Sequence, residues 1–186
     1  MSRFLSMLTS AALIAFAQRS LAAQHTRTII TLTVSPTYVN FPDVGGHLGA
    51  AAARLGVSRD FTRLAGAEVS AFALAPLGGV AAQPGCPQGT KCISLATPNL
   101  VSGVLTSLFA YAGESGLRFS AGVGTVGASG GEGFENRSSV ALLAGADWIP
   151  RTTSRFAPTL GIRVIGLSSP VAGARHLVLP GAGVRF

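Results

Sequence analysis

The chain has 186 residues, 48% of them hydrophobic and only 11% charged, with a formal net charge of +7 and a mean hydropathy of +0.48. Beyond an N-terminal apolar run, no stretch reaches the roughly 20 consecutive apolar residues of a spanning helix, which excludes a helical membrane protein. A basic excess ordinarily invites a nucleic-acid reading, but the arginines are scattered beside a single lysine, Lys91, so no nucleic-acid partner is expected.

At the N-terminus, Met1-Ser2-Arg3 gives a basic start, residues 4–17 form an apolar run, and Ser20-Leu21-Ala22 places small residues where a signal peptidase reads. These three parts predict a cleaved signal peptide over 1–22 and an exported domain over 23–186; the competing reading is a buried first helix. With no cysteine directly following the apolar run, a lipid anchor is not expected.

Eight alternating segments follow. The first, about 27–35, sets Ile30, Leu32 and Val34 against Thr31 and Thr33. The second, about 46–57, sets Ala51, Ala53 and Leu55 against Arg54, and the third, about 62–75, sets Ala65, Ala67, Val69 and Ala71 against Gly66, Glu68 and Ser70. The fourth, about 103–112, alternates poorly, and Leu105, Phe109 and Tyr111 are assigned to the apolar outer face. In the fifth, Leu117, Phe119, Ala121 and Val123 oppose Arg118, Ser120, Gly122 and Gly124. The sixth opposes Val140, Leu142, Ala144, Ala146 and Trp148 to Ser139, Ala141, Gly145 and Asp147, and the seventh opposes Phe156, Leu160, Ile162 and Val164 to Thr159, Gly161 and Arg163. The eighth runs to the end, with Val178, Pro180, Ala182, Val184 and Phe186 on one face. A period of two with many interior glycines favours strands over helices. A chain this apolar must place its apolar surface somewhere, and a closed barrel with alternate residues facing lipid does so while pairing every backbone group.

The connections are expected to alternate: 58–61, 113–116 and 149–154 short, and 36–45, 76–102, 127–136 and 168–175 long, as in membrane barrels with short periplasmic turns and long outer loops. Cys86 and Cys92 then fall in the longest outer loop, where an exported pair predicts a disulfide. No cofactor or metal is expected, because His25, His47 and His176 are dispersed and no ligand cluster accompanies the cysteines.

Arg54, Glu68, Arg118, Asp147, Arg163 and Arg185 all lie opposite the apolar face. An arginine at the bilayer midplane costs about 2–4 kcal/mol on the lipid side, so these residues are expected in the lumen, the arginines surrounding Glu68 and Asp147. An eight-stranded barrel is just wide enough for side chains to fill it, which predicts a plugged interior; a gated ion path is the alternative.

The ending, with Gly181, Val184 and Phe186 in an alternating strand closed by an aromatic, resembles the C-terminal signature of bacterial outer-membrane barrels, although Leu179 stands where that signature usually has a polar residue. In architecture the chain resembles the small barrels typified by the OmpA membrane domain, OmpX and OmpW. The resemblance implies an all-β, eight-stranded antiparallel up-and-down transmembrane barrel in the bacterial outer membrane. It implies contact with outer-membrane lipid, reading of the terminal signal by the barrel-assembly machinery, and a structural, adhesion or envelope-integrity role. Basic rims suit lipopolysaccharide phosphates, and a monomer is expected.

Two other classes compete. A soluble exported barrel of lipocalin type would point its apolar face inward and Arg54, Glu68, Arg118 and Arg163 outward. A rim enzyme acting on lipid would use Asp43, His47 and His176 with Ser168 or Ser169, but no spacing specific to nucleophilic chemistry is present and no enzyme activity is expected.

Overall fold

The computed structural model describes residues 28–41, 46–77, 98–130, 136–150, 154, 156–171 and 173–186. The expected signal peptide and the pair Cys86 and Cys92 lie outside these residues.

Eight strands follow in chain order: β1 (Thr28–Phe41), β2 (Gly46–Asp60), β3 (Ala65–Pro76), β4 (Pro98–Tyr111), β5 (Leu117–Gly130), β6 (Arg137–Trp148), β7 (Ala157–Val171) and β8 (Ala174–Arg185). Each pairs antiparallel with its sequence neighbour, and β1 pairs with β8, closing the barrel. No described helix is long and apolar enough to cross a membrane. Closure leaves no free edge, so the ladder pairs strand backbone without help from solvent.

The strands are longer than their apolar alternation suggests. β1 continues through Phe41, and β5 takes in Gly127–Gly130 of the Gly-rich stretch read as loop. The connection expected over 168–175 is almost absent: Val171 pairs with Ala174, and Gly173 turns the chain at φ 81°. Between Gly166↔His176 and Val171↔Ala174 the register shifts, so the two strands reach the turn through an irregular stretch. At the other end, Thr62 Oγ1 accepts from the N–H groups of Leu64 (3.1 Å) and Ala65 (3.0 Å), fixing the turn between β2 and β3. Gly113 and Gly116, at φ 65° and 78°, supply the left-handed backbone of the turn between β4 and β5.

The closing seam is the weakest pairing. The β1–β8 ladder runs from Thr31↔Arg185 to Val34↔Ala182. Above it Pro36 and Pro180 have no N–H to give, and the hydroxyls of Ser35 and Thr37 donate instead to the carbonyl oxygens of Pro180 and Val178.

Outward-facing residues are apolar along the strands: Val34, Val104, Leu108, Val123, Leu142 and Leu160 are each at least half exposed. The interior has two tiers. Toward the end bearing the turns at 61–64 and 112–116, it is polar and charged. Toward the opposite end it is an apolar cluster that includes Phe72, Leu74, Leu105, Leu143, Ile165 and Leu177.

The fourth strand corrects one expectation. Leu105, Phe109 and Tyr111 point into the lumen, at 1%, 4% and 8% exposure, while Val104 and Leu108 face outward. Both faces of β4 carry large apolar side chains, so periodicity alone could not choose between them.

Candidate functional site

The polar tier is built around two carboxylates. Glu68 on β3 and Asp147 on β6 are both buried, and three guanidinium groups converge on them. Arg54 Nη1 donates to Glu68 Oε1 at 2.8 Å, and its Nε donates to Thr33 Oγ1 at 3.1 Å. Arg118 Nη2 bridges the acids, at 2.6 Å from Glu68 Oε2 and 2.9 Å from Asp147 Oδ2. Arg163 Nη2 donates to Asp147 Oδ2 at 2.7 Å, with Nη1 2.9 Å from Glu68 Oε1.

Register explains how this cluster assembles. Arg118 lies directly opposite Asp147 across β5 and β6, and cross-strand partners share a face. Glycines make room for the long side chains. Gly145 is opposite Arg163, and a Cβ there would stand 3.1 Å from Arg163 Cγ. Gly161 is opposite Asp147, and a Cβ there would stand 3.1 Å from Asp147 Cγ. A Cβ on Gly56 would meet Glu68 Cδ at 3.3 Å.

The structure thus brings five of the six expected lumen residues together. Arg185, also buried, sits at the turn end of β8, where its described hydrogen bonds run to the carbonyl oxygens of Pro150 (2.6 Å) and Ser154 (3.2 Å). It pins the β6–β7 connection onto the closing strand.

Sequence reasoning missed Phe109. Its ring centroid lies 4.6 Å from the Arg118 guanidinium carbon, a cation–π contact. Tyr111 packs edge-on against Phe109 at 5.5 Å and donates to Asp60 Oδ1 at 3.4 Å. The signal was available: Tyr111 pairs with Arg118 across a tight turn. Once Arg118 is inside, its partner must be too.

At the C-terminus, Gly181 lies on the inner face, while Val184 (40% exposed) and Phe186 (47%) point outward. Phe186 packs edge-on against Phe156 at 5.4 Å, and its N–H donates to Ile30 O at 2.9 Å across the seam. Trp148, also outward-facing, donates from Nε1 to Ser115 O at 3.1 Å. The exposed aromatic side chains Phe61, Phe119, Trp148, Phe156 and Phe186 therefore gather toward the turn end.

Of the residues considered for rim catalysis, Ser168, Ser169 and His176 are among the described side chains. Ser168 Oγ is 3.2 Å from Ser139 Oγ, and the Ser169 N–H donates to Ser139 Oγ at 3.0 Å. His176 is exposed on β8 opposite Gly166. Asp43, His25 and the His47 side chain lie outside the described residues. Among the described residues no group of three or more His, Cys, Asp or Glu side chains could hold a metal.

An apolar belt outside and a charged tier inside define the class: a small eight-stranded antiparallel barrel of the outer-membrane type. Solved structures of that class are its neighbours in fold. Neisserial surface protein A matches with a TM-score of 0.57 at 13% identity, over 87% of this chain and 98% of that one. Ail, the attachment invasion locus protein of Yersinia pestis, matches with a TM-score of 0.52 at 16% identity, over 88% of this chain and 100% of that one. The same protein in complex with the heparin analogue sucrose octasulfate gives 0.53 at 18% identity, over 88% and 100%. No protein-family model matches the sequence, and no curated protein does.

Proposed function

We propose that this chain is an integral protein of a bacterial outer membrane, exported by a cleaved signal peptide, with a plugged lumen and a surface role in adhesion or envelope integrity. The observation that carries the reading is the sense of the alternation: Leu142 is 64% exposed while its neighbour Leu143 is 4% exposed, and Arg118 is fully buried. A soluble ligand-binding barrel needs the opposite arrangement, since its guanidinium groups would face water and its apolar face the ligand.

Closure of the lumen rests on two stacked obstacles. The ion-pair cluster fills the turn end and the apolar tier fills the rest, with Leu74 and Ile165 fully buried. A hydrated ion would have to break the Arg118 bridge and then cross a hydrocarbon plug. With conduction set aside, contact with other molecules falls to the loop end. There Arg175 and His176 are exposed on β8, a basic rim suited to lipopolysaccharide phosphates or a sulfated glycan such as the one seen with Ail. No catalytic role is proposed. Gly181, Val184 and Phe186 are proposed to be read by the barrel-assembly machinery, and lipid, with no nucleic acid, is the surrounding partner of a monomer.

Cell fractionation tests the reading. The protein is expected in the outer-membrane fraction, with a gel band that shifts on heating and no conductance steps in planar bilayers. Recovery as a soluble periplasmic protein would overturn the placement, and stable single-channel steps would overturn the plugged lumen.

A further inference from the structure

The charge cluster does not balance. Three guanidinium groups, Arg54, Arg118 and Arg163, share two carboxylates, Glu68 and Asp147, in the interior of the barrel. One positive charge is left over, and an uncompensated charge in a low-dielectric interior is unfavourable. Hydrogen bonds are also left over. Arg163 Nε and Thr159 Oγ1 are buried with no hydrogen-bond partner in the protein. Arg163 is 2% exposed and Thr159 3%.

Both residues line the same cavity, which also meets Arg54, Thr31, Thr33 and Asp147 and has a volume of about 20 Å³. That is room for one water-sized body. Its negative wall is already engaged: Asp147 Oδ2 is taken by Arg118 and Arg163, and Oδ1 stands 3.9 Å from Arg54 Nη2. Arg163, Thr159 and Arg54 all line this space.

We infer that the lumen holds a binding site for one small monovalent inorganic anion of halide size, seated between Arg163, Thr159 and Arg54, which completes the charge of the Glu68–Asp147 cluster. The inference concerns the interior of the barrel and stands whatever the loop end binds.

The full chain, folded in lipid vesicles, is unfolded in urea at constant ionic strength in chloride or in gluconate, which is too large for the cavity. The midpoint is expected to rise with chloride concentration, since a ligand that binds only the folded state stabilises it by mass action. Thr159→Asp places a carboxylate on the cavity wall. This variant is expected to lose the chloride dependence and to unfold in gluconate at a higher urea concentration than the unsubstituted chain. Crystals of the unsubstituted protein grown in bromide are expected to show an anomalous peak within hydrogen-bond reach of Arg163 Nε and Thr159 Oγ1. Equal midpoints in the two salts, full chloride dependence in Thr159→Asp, or a water with no anomalous signal in the cavity would each overturn the inference. If Thr159→Asp fails to fold, the bromide crystal decides alone.

Discussion

Glu68→Gln is the most informative perturbation of the lumen. The carboxylate is 1% exposed and has arginine nitrogens at 2.6, 2.8 and 2.9 Å from Arg118, Arg54 and Arg163. Glutamine keeps the volume and one acceptor oxygen but removes the charge, raising the excess positive charge of the cluster from one to two. Breaking one side of a buried ion pair costs about 3–5 kcal/mol; because one amide oxygen still accepts, the lower end, about 3 kcal/mol, is expected. Trp148 is the one tryptophan of the chain and faces outward at the turn end, so its fluorescence reports unfolding in urea from lipid vesicles. Arg54→Gln in the same background should recover part of the loss, with a coupling energy of about 1–3 kcal/mol in the double-mutant cycle. A stability within about 0.5 kcal/mol of the unsubstituted chain, as at an exposed surface site, would refute the cluster's structural role.

Other parts of the barrel make separate predictions. Leu142→Arg, on the outer face near the middle of β6, is expected to destabilise the barrel in vesicles by about 2–4 kcal/mol, measured by the same urea titration. Phe186→Ala removes an edge-on ring contact worth about 0.5–1.5 kcal/mol, so stability after refolding should change little. Outer-membrane assembly in cells, measured by the heat-shifted fraction, should fall sharply; equal losses in both assays would make the residue structural only. Amide exchange should be fastest, within the strands, at β1 and β8 beyond Val34 and Ala182, where prolines interrupt the ladder. Uniform protection around the barrel would contradict a weak seam.

Where one face is polar, the sequence alone was sufficient to orient a strand. β5, β6 and β7 carry Arg118, Asp147 and Arg163 opposite unbroken apolar positions, and a buried charge in a lipid-facing wall leaves only one direction. β4 has no charge to break the tie, and Leu105 with Phe109 looks as suitable for lipid as Val104 with Leu108. Its orientation comes from the turn to β5, which places Tyr111 opposite Arg118. Strand ends were hidden for a related reason: extended backbone needs no apolar side chain, so β7 and β8 run through Ser168, Ser169 and Arg175 without an apolar signal. The charged residues of the cluster could be read from their face, but not their partners. Which arginine bridges both acids, and that Arg185 reaches Pro150 and Ser154 instead, depends on barrel shear and side-chain length.

The central claim is that alternate residues face lipid and the charged face is enclosed. Methyl NMR of the folded chain, in bilayers carrying a spin label at the acyl-chain ends, tests it without altering the protein. Methyl signals of Val104, Leu108, Val123, Leu142 and Leu160 are expected to broaden strongly, while those of Leu105, Leu143 and Ile165 stay sharp. Broadening of Leu105, Leu143 and Ile165 with sharp signals from the other set would show the barrel inside out.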